Sequence, residues 1–300
     1  MRMDGTQASE PVLRLYPLES TLDTDRNCRV QTMRLLTVDQ HRDVLTRLVA
    51  LGRRIGDHEL RISPYSNLMA SFLLHELISA DAILSLHREF GETWYPVTSA
   101  YPIARTLFEI DVTAHYISQD PQDRAIQYIE FGHVLKKRRM DACARHRESA
   151  DASWAEGMAL EWRHYWAGIE PAVNGEFERV RRRFETASAN GKAKPFNNWS
   201  GKTLRQMAVE VKHEESYDVF YSELSSFTHA DVRLANRFLK LPRDGPLLTS
   251  RAEEGDVGAV YRFAATFLTC FLGLFGDESG IWTKEEVERC WDQRESGSRV

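Results

Sequence analysis

The sequence predicts an all-α protein, a single multi-helix bundle domain with an irregular N-terminal arm. Apolar residues recur with the helical period in almost every segment. No stretch alternates apolar and polar residues for long enough to build a sheet. Pro, Gly, Asn and Thr or Ser collect between the periodic runs, where helices start and stop.

Residues 1–34 form the arm, because Pro11 and Pro17 break the chain before any apolar run develops, unlike a secretory leader. The helical domain is expected over residues 35–295. A first helix covers about 38–60, begun at Thr37 or Asp39. A second covers about 65–89, opened by Pro64 and Ser66. Its Leu68, Met69, Phe72, Leu73, Leu77, Ile83 and Leu86 occupy most of the circumference, which places it in the middle of the bundle. A third, about 97–118, is also apolar nearly all round and should be central. Asp120 before Pro121 ends it, and Pro121 suits the first turn of the fourth helix, about 121–148.

A fifth helix spans about 152–188, bent or broken near Pro171. The loop 187–203 follows, and Thr203 or Ser200 caps a short helix, 203–212. A Tyr-rich helix, 216–240, leads to a second long connection, 241–256. The apolar helix 257–276 and a short helix 283–293 complete the domain. The second, third and last long helices are expected at its centre.

Hydrophobic residues make up 42% of the chain and charged residues 28%, a soluble globular profile. A net charge of −5 argues against attachment to nucleic acid by bulk charge. Cys28, Cys143, Cys270 and Cys290 form no C-x-x-C pair, which fits free thiols and a cytoplasmic location. The membrane candidate considered is 257–276. Arg262 interrupts it, leaving 13 apolar residues from Phe263 to Phe275 where a span needs about 20. A buried core helix is expected there, and no membrane partner.

Polar groups inside apolar helices narrow the search for a site. Arg105 and Glu109 lie four apart on the buried third helix, so each needs a partner. They make either a structural ion pair or a positioned guanidinium with an orienting carboxylate. In "YSELSSFTHADVRLAN", residues 221–236, Tyr221, Leu224 and Phe227 belong to the core, while Ser225, His229 and Asn236 form a separate polar edge with Arg233 close by. A Ser four residues before a His on one helix is poorly placed for a nucleophile and its base.

Helical bundles also house dinuclear metal sites built from Glu-x-x-His pairs. Three such pairs occur: Glu130 with His133, Glu161 with His164, and Glu210 with His213. The first two are the metal candidates. Glu210 and His213 fall in a charged helix end, and Glu76 and Glu109 are the lone glutamates such a site would need. Basic runs at 136–147 and 179–183, if adjacent, make one cationic surface able to meet RNA or a phosphate-bearing ligand. No Gly-rich phosphate loop, nucleophile elbow or zinc pattern is present, so no cofactor is assigned.

The segments "IARTLFEIDVTAHYISQDPQDRAIQYIEF", "NWSGKTLRQMAVEV" and "YDVFYSELSSFTHADV" resemble the bacterial domain of unknown function 5677 family, over about 65–275. The resemblance implies an Arg and Glu on a hydrophobic helix, a Trp-Ser-Gly step and a Tyr-rich helix ending in Ser-x-x-x-His. More distantly, the bundle is similar to HEPN-type proteins, many of them ribonucleases of defence and toxin systems that place an Arg four to six residues before a His. Here Leu224 and Ser225 stand where that Arg would be, so Arg105 would have to supply the charge.

The expected activity is therefore binding, and cleavage if it occurs, of RNA or a phosphate-bearing ligand in a pocket of Arg105, Glu109, Ser225 and His229. His229 would be the general acid or base and Arg105 the stabiliser of phosphate charge. The rival is a non-catalytic helical interaction module, with a metal-dependent oxidoreductase third. Self-association into a homo-oligomer is compatible with either.

Overall fold

The computed structural model describes residues 36–58, 63–90, 94–146, 152–187, 193–228, 239–240, 247–248 and 254–292. Helix α1 is Val38–Gly52, followed by a 3-10 turn at Arg53–Asp57. Its start is a capping box, in which the Thr37 hydroxyl accepts from the Gln40 amide and Gln40 Oε1 accepts from the Thr37 amide. Thr37 and not Asp39 takes the cap. The same device opens two later helices at Thr203 with Gln206 and Thr283 with Glu286.

Helices α2 (Pro64–Phe90), α3 (Trp94–Ser118) and α4 (Pro121–His146) follow as expected, within a few residues. The expected fifth helix is several pieces. Helix α5 (Ala152–Glu161) passes into a π turn at Trp162–Trp166, and α6 (Glu170–Val180) restarts with Pro171 in its first turn. The break thus precedes Pro171, which has no amide hydrogen to lose there. A 3-10 turn, Arg181–Phe184, then ends the helical run short of residue 188.

Two small ladders were not expected. Strand β1 (Glu185–Ala187) pairs antiparallel with β2 (Ala193–Pro195), and β3 (Leu239–Lys240) with β4 (Leu247–Leu248). They satisfy backbone groups at loop ends, and two or three residues are too few to show a period of two. After α7 (Leu204–Glu210) come α8 (Glu214–Ser216), a π turn at Tyr217–Tyr221 and α9 (Ser222–Thr228). His229, Arg233 and Asn236 lie outside the described residues. Helices α10 (Glu254–Ser279) and α11 (Lys284–Arg289) end the described chain.

The protein is an all-α bundle with α3 in its middle, packed against α2, α4, α7, α9 and α10. Helix α10 fills the space between α1, α2 and α3. One apolar cluster runs through this assembly, from Val44 and Leu48 through Leu73, Leu107, Phe108 and Phe271 to Val287. A smaller one joins α4 to the α5–α6 unit through Met140, Cys143, Trp166 and Val173. No disulfide joins Cys143, Cys270 and Cys290.

By length and composition alone two helices among the described residues could cross a membrane, residues 64–88 and 255–276, and half or more of each such stretch is buried in the bundle. The first of these was not anticipated. Its exposed Leu74 and Ile78 stand one turn apart on the same face as exposed Ser71 and His75, opposite buried Leu73 and Leu77.

Candidate functional site

Helix α3 and the segment from His213 to Thr228 run antiparallel. His115 meets His213, Phe108 meets Tyr217 and Tyr221, Arg105 meets Tyr221, and Tyr101 stacks on Phe227 at 4.0 Å. Most of this seam is aromatic core. Two places on it are polar.

The first joins Arg105, Glu109 and Tyr221. Arg105 Nε donates to Glu109 Oε1 at 2.8 Å, and Arg105 Nη2 donates to the Tyr221 hydroxyl at 2.7 Å. The Tyr221 hydroxyl donates in turn to Glu109 Oε1 at 3.2 Å. The helical spacing of Arg105 and Glu109 supplies the ion pair, and the π turn at Tyr217–Tyr221 supplies the phenol. In that turn Tyr217 and Tyr221 stack at 4.7 Å against the side of Phe108. Burial, then the Glu109 charge, pushes the Tyr221 phenol above its ordinary pKa, so it stays a neutral donor.

Ser225 lies one turn beyond Tyr221, and its buried hydroxyl has no hydrogen-bond partner. A buried hydroxyl without a partner costs about 1–3 kcal/mol. The structure therefore brings Arg105 and Glu109 together with the start of the Ser225 helix, through a tyrosine whose place on the apolar stripe predicts a core residue. The signal for Tyr221 was faint, since an aromatic on a core stripe reads as packing. His229 lies outside the described residues.

The second polar place lies about 9 Å further along α3, six residues at 1.5 Å each. Asp111 and His115 occupy one face of the helix at i and i+4, and His213 approaches from the turn between α7 and α8. Each offers a ligand atom within 4.8 Å of the other two, the one such grouping among the described residues. His115 Nδ1 lies 2.9 Å from the Asp111 carbonyl and 3.1 Å from Asp111 Oδ1. His213 Nδ1 is 3.4 Å from Asp111 Oδ2. Burial alone would raise the Asp111 pKa, but the two imidazoles outweigh it and hold the group at about 2. Burial works against the His115 imidazolium, yet the Asp111 carboxylate raises its pKa on balance.

Glu76, on α2, completes the surroundings. It is 0% exposed, and neither carboxylate oxygen has a hydrogen-bond partner. Burial, then repulsion from Asp111, pushes its pKa well above the usual carboxylate range.

The chain around these two places has a recognisable kinship. The family of unknown function DUF5677 matches residues 69–246, more than half of the sequence. The chain belongs to this family. All of Glu76, Arg105, Asp111, His115, His213 and Tyr221 fall inside the DUF5677 region. No curated protein and no solved structure matches, HEPN-type bundles included.

The other expected residues have different partners. Glu130 binds Arg179 and Arg183 at 2.8 and 3.0 Å, and Glu161 binds Arg139 at 2.7 Å and the Trp166 indole N–H at 3.0 Å. His133 Nε2 is 3.9 Å from Glu176, and His164 is exposed. Glu130, His133, Glu161 and His164 thus form no shared ligand group, because arginines already neutralise both glutamates. Of the third Glu-x-x-His pair only His213 reaches a polar cluster. Glu210 faces away, to Arg124 at 2.8 Å and to Lys202.

Helices α4 and α6 are neighbours, as the cationic-surface expectation required. Their basic residues are nonetheless largely occupied. Lys137 pairs with Asp141, Arg138 donates to the Phe196 carbonyl, and Arg181 pairs with Glu185. Together with Arg139, Arg179 and Arg183, these pairings leave a mixed-charge surface on that face.

Proposed function

We propose that this DUF5677 protein binds a small phosphate-bearing ligand at the polar group of Arg105, Glu109 and Tyr221, with Ser225 one turn beyond it. The unpartnered Ser225 hydroxyl carries the reading. It lies one turn from a phenol already held by an arginine, and a ligand oxygen would relieve its cost. A guanidinium presents a planar fork suited to phosphate oxygens, and Glu109 with Tyr221 fixes that fork in place. Glu109 is 40% exposed, so the group reaches solvent. The pairing of the basic residues on α4 and α6 favours a small ligand over RNA held by bulk charge. His229 remains the acid or base of the reading if cleavage accompanies binding.

A second reading has its own support. Arg105, Glu109 and Tyr221 satisfy one another in a closed ring, which suits a clamp between α3 and the π turn in a non-catalytic interaction module. Thermal shift with inorganic phosphate, mononucleotides and short RNA separates the two. The ligand reading expects a mononucleotide to raise the unfolding midpoint in wild type, and Ser225→Ala and Arg105→Lys to lose that response. If no phosphate compound shifts the midpoint while Tyr221→Phe lowers it, the group is a clamp.

A further inference from the structure

Among the described residues, the polar groups at Asp111, His115, His213 and Glu76 are used by neither reading of the Arg105 region. Asp111 faces two imidazoles, and a structural account could stop there with two ion-pair contacts. Glu76 does not fit that account. A fully buried carboxylate beside a second buried carboxylate, with both oxygens unpartnered, is the kind of group that cores exclude or neutralise. A neutral Glu76 carboxyl would still leave two buried polar oxygens without a partner.

We propose that Asp111, His115 and His213 bind one divalent transition-metal ion, with Glu76 as the buried carboxylate that completes or backs its coordination. Two ligands each about 2.0–2.2 Å from a tetrahedral zinc stand roughly 3.3–3.6 Å apart. The Asp111 oxygens lie 3.1 Å from His115 Nδ1 and 3.4 Å from His213 Nδ1, close to that spacing. A divalent cation would also give the Glu76 carboxyl a partner. Two imidazoles and a carboxylate suit zinc, ferrous iron, cobalt or manganese, whereas calcium and magnesium favour oxygen ligands alone. The site is mononuclear, and its residues are not the Glu130, His133, Glu161 and His164 set. The His115 and His213 side chains each keep 14% exposure, which leaves a way in for the ion.

The test uses the full chain, stripped with a chelator, exposed in turn to Zn2+, Mn2+, Co2+, anaerobic Fe2+, Mg2+ and Ca2+, desalted, and assayed by mass spectrometry for metal. We expect on the order of one equivalent of at least one transition metal, and none of Mg2+ or Ca2+. His213→Ala should abolish retention, and Glu76→Gln should weaken affinity by about 10- to 100-fold. Circular dichroism of each variant checks folding. Should His213→Ala misfold, the visible absorption of bound Co2+ in wild type reports imidazole and carboxylate ligation without any variant. A folded wild type that retains no transition metal overturns the proposal, as does a folded His213→Ala that retains as much as wild type. Neither outcome touches the phosphate-ligand reading, which rests on other residues.

Discussion

Glu76 is the residue whose chemistry is least like its surroundings. It projects from an apolar helix into the core and finds a like charge there instead of a partner. Replacing a buried, unpartnered carboxyl by an apolar side chain of similar length removes its desolvation cost. Glu76→Met should therefore stabilise the metal-free protein by about 1–3 kcal/mol in urea melts and impair metal uptake at once. A destabilised Glu76→Met would mean that the carboxyl has a structural role of its own. Arg105 and Glu109 were legible in the sequence because charges at helical spacing on an apolar helix demand partners. Asp111 and His115 carry the same signal at the same spacing on the same helix and were passed over. Their meaning depends on His213, about a hundred residues away, and no local pattern joins them.

At the scale of elements, the turn that carries His213 has an unusual backbone. Lys212 adopts φ 61°, in the left-handed region, where a side chain beyond Cβ costs about 1 kcal/mol. That conformation ends α7 and swings the chain so that His213 donates its amide to the Ala208 carbonyl at 2.7 Å. Lys212→Gly should relieve the strain and raise stability by about 0.5–1 kcal/mol without moving His213. A lower midpoint in this variant would show that the Lys212 side chain contributes more than the backbone costs. Two helix starts were readable to within a pair of candidates, at Thr37 and Thr203, while the cap at Thr283 was not singled out; all three act through a hydroxyl and a glutamine or glutamate three residues on. The π turns at Trp162–Trp166 and Tyr217–Tyr221 were illegible, because one extra residue per turn leaves almost no trace in apolar spacing. The second of them sets where Tyr221 points.

Across the whole molecule, one continuous apolar cluster links α1 to α11, so the helices on both sides of the 187–203 loop share a core. Calorimetry should show a single cooperative transition for this core. The cluster of Met140, Cys143, Trp166 and Val173 is smaller and separate, and local opening there should appear as faster amide exchange in α5 and α6 than in α3. Two resolved calorimetric transitions would divide the chain instead. The central placement of α2, α3 and α10 was readable from helices apolar around most of their circumference. The burial of Glu76 and Asp111 between these helices also gives the cluster of Asp111, His115, His213 and Glu76 its force, because water scarcely reaches the two carboxyl groups held there.

Crystals grown from zinc-loaded protein and measured on both sides of the zinc absorption edge test that cluster most directly. The account predicts an anomalous peak about 2.0–2.2 Å from an Asp111 carboxylate oxygen and from one ring nitrogen each of His115 and His213. Well-ordered Asp111, His115 and His213 side chains with no peak between them, and a Glu76 carboxyl bonded to ordered water, would contradict it.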